Sequence, residues 1–104
     1  MSELEGKTAL ITGSVQGIGR AIAEALAGAG VRIAVHGLAG DAEVYEVCEA
    51  LKDMGAPQAE FFGGDLRHAD QIDGLMRAVH AWGGPDILVN NAGIQEMAPL
   101  KTVS

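Results

Sequence analysis

One stretch sets the terms for this chain: Thr8-Ala9-Leu10-Ile11-Thr12-Gly13-Ser14-Val15-Gln16-Gly17-Ile18-Gly19. A short apolar run leads into glycines spaced Gly-x-x-x-Gly-x-Gly. An amphipathic segment follows at once, with Ile18, Ile22, Leu26 and Ala29 on one helical face. The pattern predicts a strand, a tight turn and a helix. Glycine tolerates positive φ, so the chain can reverse sharply off the strand. Without side chains, Gly13, Gly17 and Gly19 let a ligand approach the backbone closely. The helix start presents unpaired N–H groups and the positive end of its dipole, which suits a pyrophosphate. An ordinary glycine-rich βα turn is the competing reading; the strand before and the helix after favour the anion site.

The same alternation continues along the chain. Lys7 to Thr12 reads as the first strand, apolar without alternation, as expected when both faces are covered. The first helix is expected over Gly17 to Ala29 and the second strand over Val31 to Val35. After the loop His36 to Gly40, Asp41 is the expected N-cap of a second helix, whose stripe is Val44, Val47, Cys48 and Leu51. Gly55 and Pro57 stop it. Gln58 to Gly63 reads as a third strand and Ala69 to Trp82 as a third helix, with Ile72, Leu75, Met76 and Val79 on one face. Gly83-Gly84-Pro85 breaks it, Ile87 to Asn90 is a fourth strand, and Asn91-Ala92-Gly93 is the turn after it. Ile94 to Ser104 shows no clear period. Strand and helix in strict turn predict an α/β fold, a parallel sheet with right-handed crossovers.

Length and charge narrow the partners. A chain of 104 residues suffices for one domain. Its formal net charge of −7 argues against nucleic acid, which needs a basic patch. A phosphate-bearing ligand is still permitted, because backbone amides bind it locally. Cys48 is the single cysteine, so no intrachain disulfide can form, and it is expected as core filler. Met1 to Gly6 is acidic with no apolar h-region, and no apolar run approaches the ~20 residues a membrane span needs. A cytoplasmic location is the expectation, with no membrane partner.

Two further motifs lie at strand ends, where ligands of open α/β sheets bind. Dinucleotide folds place an acid about 20 residues beyond the glycine turn to hold a ribose 2′-hydroxyl. Here the second strand ends in His36-Gly37, and the nearest acid is Asp41. No Arg or Lys follows Val35 that could read a 2′-phosphate. The ribose would be held by backbone near His36, Gly37 and Leu38. His36 is either a ribose contact or a surface loop residue. NAD is favoured over NADP, because a buried phosphate without a cation is costly. At the end of the third strand, Asp65 can accept from an adenine amino group while the Leu66 N–H donates to the ring. The alternative is that Asp65 caps the following helix.

Together, Thr12-Gly13-x-x-x-Gly17-x-Gly19, Asp65-Leu66 and Asn90-Asn91-Ala92-Gly93 resemble the short-chain dehydrogenase/reductase family in order and spacing. The resemblance covers essentially the whole chain. It implies a Rossmann-type sheet of order 3-2-1-4 binding a nicotinamide dinucleotide. Gly13, Ser14, Gln16 and Ile18 would lie around the pyrophosphate and ribose, Asp65 and Leu66 at the adenine, and Asn91, Ala92 and Gly93 on the adenosine ribose side. Within the family, His36 to Ala42 and Val89 to Gln95 look most like bacterial 3-hydroxybutyrate dehydrogenases, which use NAD. That likeness makes Gln95 a substrate-carboxylate candidate, with a small hydroxy or keto compound as substrate.

The family's catalytic Asn, Ser and Tyr-x-x-x-Lys cannot be mapped here. Tyr45 is the sole tyrosine, and Glu49 stands four residues on. No catalytic residue and no metal site are assigned. Residues 1–104 are expected to be the dinucleotide-binding half of a dehydrogenase, without its catalytic part and inactive alone. The rivals are a non-catalytic nucleotide-binding module and an interaction module completed by a second chain. Ile87-Leu88-Val89, a bare apolar edge strand, predicts self-association and a homo-oligomer.

Overall fold

The computed structural model describes residues 3–91. In chain order the elements are β1 (Thr8–Ile11), α1 (Gly17–Gly28), β2 (Arg32–Val35), α2 (Asp41–Met54), β3 (Ala59–Phe61), α3 (Ala69–Trp82) and β4 (Ile87–Val89). The sheet order is β3-β2-β1-β4 with every pair parallel. This is the Rossmann-type order that the motifs imply. Each helix lies where its period predicts, and the strands are a residue or more shorter at their ends.

The apolar strands face two cores. Ala9, Ile11, Ile33 and Val35 pack with Ala23 and Ala27 of α1 and with Val47, Cys48 and Leu51 of α2. Leu10 and Ala34 point the other way, onto Leu75 and Val79 of α3. A strand buried on both faces has no polar side to show, hence the unbroken run Ala9-Leu10-Ile11. Coverage by α3 is confined to the central pair: on the same face Glu60 is exposed and Leu88 is 55% exposed. Cys48 is buried as expected, and burial pushes its thiol up.

Three local expectations are corrected. The buried face of α1 is Gly19, Ala23 and Ala27, not the larger stripe. Ile18 is 66% exposed, while Ile22, Leu26 and Ala29 are only partly buried against that core. Small residues let the helix backbone sit close to the β1 turn, and Ile18, one residue into the helix, remains exposed. Asp41 is not an N-cap; Gly40 holds that place and Asp41 is the first helical residue. Its charge, with that of Glu43, acts on the helix dipole. Nor does Asp65 cap α3, whose N-cap is His68. Its carboxylate instead accepts from the Arg67 N–H at 3.0 Å, closing a local turn.

At the amino ends of the strands, Arg32 of β2 joins β1, α3 and the residue that leads into β3. Its guanidinium donates to Thr8 Oγ1 (2.8 Å), Gln58 Oε1 (2.8 Å) and the Trp82 carbonyl (2.9 Å). It lies 4.0 Å over the Trp82 ring. This cluster sits at the end of the sheet away from the glycine turn.

Candidate functional site

Three loops at the carboxyl ends of β1, β2 and β3 enclose an open cavity of about 500 Å³. Gly13, Val15 and Gln16 come from the first loop, His36, Gly37 and Leu38 from the second, and Gly64, Asp65, Leu66 and Arg67 from the third. Seven positions singled out in the sequence thus meet there: Gly13, Gln16, His36, Gly37, Leu38, Asp65 and Leu66.

Positive φ at Gly13 (65°) and Gly17 (66°) turns the chain from β1 into α1. The start of α1 carries no acidic residue in its first turn, and Gln16, the N-cap, makes no side-chain capping bond. The first-turn amides and the positive dipole end are therefore left for an external anion. Gly17 and Ile18 are exposed at this helix start. Gly19 is buried behind them: a Cβ there would lie 2.0 Å from the Gly13 carbonyl oxygen and 2.6 Å from Asn91 Nδ2. Asn91, 1% exposed, donates from Nδ2 to that same carbonyl at 3.1 Å. It braces the turn from beyond β4. Thr12 adds a backbone bond from its N–H to the Val89 carbonyl at 3.0 Å.

Ser14 is wholly buried and does not line the cavity. Its N–H donates to the His36 carbonyl (2.7 Å), and its hydroxyl accepts from the His36 N–H (3.0 Å). The loop after β1 is thus fastened to the end of β2.

His36 is no surface residue; it is 4% exposed. The Gly13 N–H donates to its Nδ1 at 3.2 Å, and Nε2 lies 2.8 Å from the Gly64 carbonyl oxygen. An amide N–H can only donate, so Nδ1 is the acceptor nitrogen. Nε2 therefore carries the proton and donates to Gly64. Both ring nitrogens are committed within the protein. Gly37 packs closely on the first loop: a Cβ would lie 2.7 Å from Val15 Cγ2, so the buried Val15 side chain would have to shift.

Asp65 is held by its neighbour Arg67. Oδ1 accepts from Nε at 3.0 Å and from the Arg67 N–H at 3.0 Å, and Oδ2 accepts from Nη2 at 2.8 Å. The Arg67 side chain and backbone N–H hold the Asp65 carboxyl well below the usual carboxylate range. The Asp65 N–H donates to Gln71 Oε1 at 2.7 Å. Oδ2 keeps lone-pair capacity for one more donor, the kind an adenine amino group offers.

Sequence reasoning missed Val15, Gly64 and Arg67. The signal for Arg67 was its place two residues after an Asx-turn aspartate. Ala92, Gly93 and Gln95 lie outside the described residues.

The profile of the short chain dehydrogenase family matches residues 7–104. The chain is 46% identical over 99 residues to D-beta-hydroxybutyrate dehydrogenase of Cupriavidus necator, covering 94% of this chain and 38% of that protein. It is 40% identical over 90 residues to D-beta-hydroxybutyrate dehydrogenase of Rhizobium meliloti, covering 86% and 35%. Its fold matches the 3-oxoacyl (acyl-carrier-protein) reductase of Agrobacterium tumefaciens C58, a structure with NADP bound, at a TM-score of 0.73 and 40% identity, over 82% of this chain and 32% of that one. It also matches L-sorbose reductase of Gluconobacter frateurii, complexed with NADPH and L-sorbose, at a TM-score of 0.74 and 34% identity, over 82% and 32%. The chain spans less than half the length of these relatives. With that profile match, the three motifs in register and the β3-β2-β1-β4 sheet that carries them, the chain belongs to the short-chain dehydrogenase family.

Proposed function

We propose that this chain is the dinucleotide-binding half of a short-chain dehydrogenase that takes NAD in preference to NADP. Its parent reaction moves a hydride between that cofactor and a small hydroxy or keto acid of the 3-hydroxybutyrate type. The observation that carries the cofactor reading is the chemistry at the end of β2. His36 has both nitrogens engaged, and Gly37 and Leu38 carry no charged or polar side chain. Arg67, the one cation among the described lining residues, is paired with Asp65. A 2′-phosphate there would be desolvated without a cation of its own, which is costly. A 2′-hydroxyl needs only the backbone of Gly37 and Leu38. The substrate class draws support from the names of the Cupriavidus and Rhizobium relatives.

In this reading the amides of Gln16, Gly17, Ile18 and Gly19 face the pyrophosphate, Gly13 turns the chain beneath it, and Ser14 and Asn91 brace that turn from behind. Asp65 and Leu66 take the adenine, Ala92 and Gly93 the ribose side, and Gln95 the substrate carboxylate. The nicotinamide, when bound, supplies the hydride acceptor. Residues 1–104 contain no Tyr-x-x-x-Lys, so they bind the cofactor without turning substrate over. The protein is cytoplasmic and self-associating. Titration calorimetry with NADH and NADPH tests the cofactor assignment: NADH binds more tightly. Tighter NADPH binding refutes the NAD preference, and heat from neither refutes the dinucleotide reading. NAD reduction with 3-hydroxybutyrate by material of verified 10.7 kDa mass would refute the inactive-half assignment.

A further inference from the structure

We propose that His36 is the positioning residue of the adenosine end of the cavity. As a neutral imidazole fixed in its Nε2–H tautomer, it sets the spacing between the pyrophosphate-side loop and the adenine-side loop. The inference rests on the dinucleotide reading above. Gly13 and Gly64 belong to different loops, on either side of β2's end, and among the described bonds His36 is the side chain that holds both. Gly13 is the first glycine of the anion turn, and Gly64 directly precedes Asp65. A shift of the imidazole would therefore move the pyrophosphate amides relative to the adenine acceptor. The ring itself is anchored, because the His36 backbone is bonded at both N–H and carbonyl to the buried Ser14. The same commitment shapes selectivity. The Nε2 proton is spent on Gly64 and Nδ1 has none, so the ring offers nothing to a phosphate at the ribose 2′ position.

Histidine-labelled full-length chain tests the tautomer directly. Long-range ¹H–¹⁵N correlation shows a protonated Nε2 and an unprotonated Nδ1, with and without NADH. A protonated Nδ1, or exchange between tautomers, overturns the proposal. AMP and NADH titrations of variants test the positioning. His36→Ala loses both bonds and weakens AMP binding roughly ten- to hundredfold, at about tenfold per bond. His36→Asn keeps an acceptor near the Nδ1 place and recovers part of the loss. Arg32→Ala, altered at the other end of the strands, leaves AMP affinity unchanged and controls for general destabilisation. If the wild-type chain binds AMP and His36→Ala binds it equally well, the positioning role is overturned while the dinucleotide reading stands. If Arg32→Ala weakens AMP as much as His36→Ala, the effect is structural and the role is likewise overturned. If the wild-type chain binds neither AMP nor NADH, the reading and the inference fall together. Should His36→Ala not fold, the Asn variant and the wild-type tautomer decide.

Discussion

Replacing Gly19 with alanine tests how tightly the glycine turn is built. In an exposed helix position this change stabilises by about 1 kcal/mol, because alanine is the better helix former. At Gly19 the added Cβ would lie 2.0 Å from the Gly13 carbonyl oxygen. That is ~1.3 Å short of the ~3.3 Å at which carbon meets a carbonyl oxygen. The obstacle is backbone, so the turn must move. Overpacking of this kind costs about 1–3 kcal/mol. The Cβ would also lie 2.6 Å from Asn91 Nδ2, displacing the donor that braces Gly13. Leaving that buried amide unpaired costs about 1–3 kcal/mol more. Set against the helix gain, the net expectation is a loss of about 1–5 kcal/mol. Gly74 in α3 supplies the control, since a Cβ there meets nothing within 4 Å. Gly74→Ala is expected to gain about 1 kcal/mol. Urea unfolding followed by circular dichroism, at one protein concentration, reads both as midpoint shifts with a common slope. If Gly19→Ala moves the midpoint up as Gly74→Ala does, the close approach of α1 to the turn is refuted.

The Asp65 carboxyl, held down by Arg67, stays ionised to lower pH than an ordinary aspartate. Its contribution to the adenine-side loop is complete above the unfolded value of about 3.9 and is lost as pH falls from there through the folded value. Carboxyl ¹³C titration is expected to show Arg67→Gln bringing Asp65 back toward that value; an unchanged titration would contradict the pairing. Arg32→Ala removes three hydrogen bonds and the stack on Trp82. It is expected to cost about 2–3 kcal/mol and to shift the fluorescence of the single tryptophan. Among the described residues β4 pairs on one side only, with β1, and Leu88 is 55% exposed. Sedimentation velocity at micromolar concentration is expected to show association that Leu88→Lys reduces; a wild-type chain monodisperse at 10.7 kDa would argue against an open edge.

The alternation of strands and helices was legible because each element announces itself locally, by period and by its glycine or proline stop. Sheet order followed from the family resemblance that the three motifs carry. Details set by distant partners were not legible. A helical period places Ile18 on the stripe with Ile22, but it carries no information on how closely the helix approaches the strand. The close approach of α1 at Gly19 depends on the Gly13 carbonyl and Asn91, 78 residues apart in the chain. Whether His36 is a ribose contact or a surface loop residue is not legible in the sequence, because both of its ring partners, Gly13 and Gly64, are remote along the chain. Arg67 stands two residues from Asp65, but neither adenine recognition nor helix capping requires a cation there, so the pairing shows only in the folded turn.

The central place of β1 has a kinetic consequence. β1 pairs with β2 across one short helix, but with β4 only after the chain has crossed α1, α2 and α3. Contacts that close long loops lose more chain entropy before they are rewarded. We predict that β1, α1 and β2 condense first and that β4 docks last. Asn91 follows β4, so the brace on the Gly13 carbonyl arrives with that final step. Pulsed hydrogen exchange during refolding distinguishes the stages. The Arg32 amide, bonded to Lys7 in the early unit, gains protection before the Thr12 amide, whose acceptor is the Val89 carbonyl. Simultaneous protection of the two amides would mean that the sheet forms in one step. On the predicted order, a chain still emerging during synthesis has its first two strands paired while the anion turn waits for its last support.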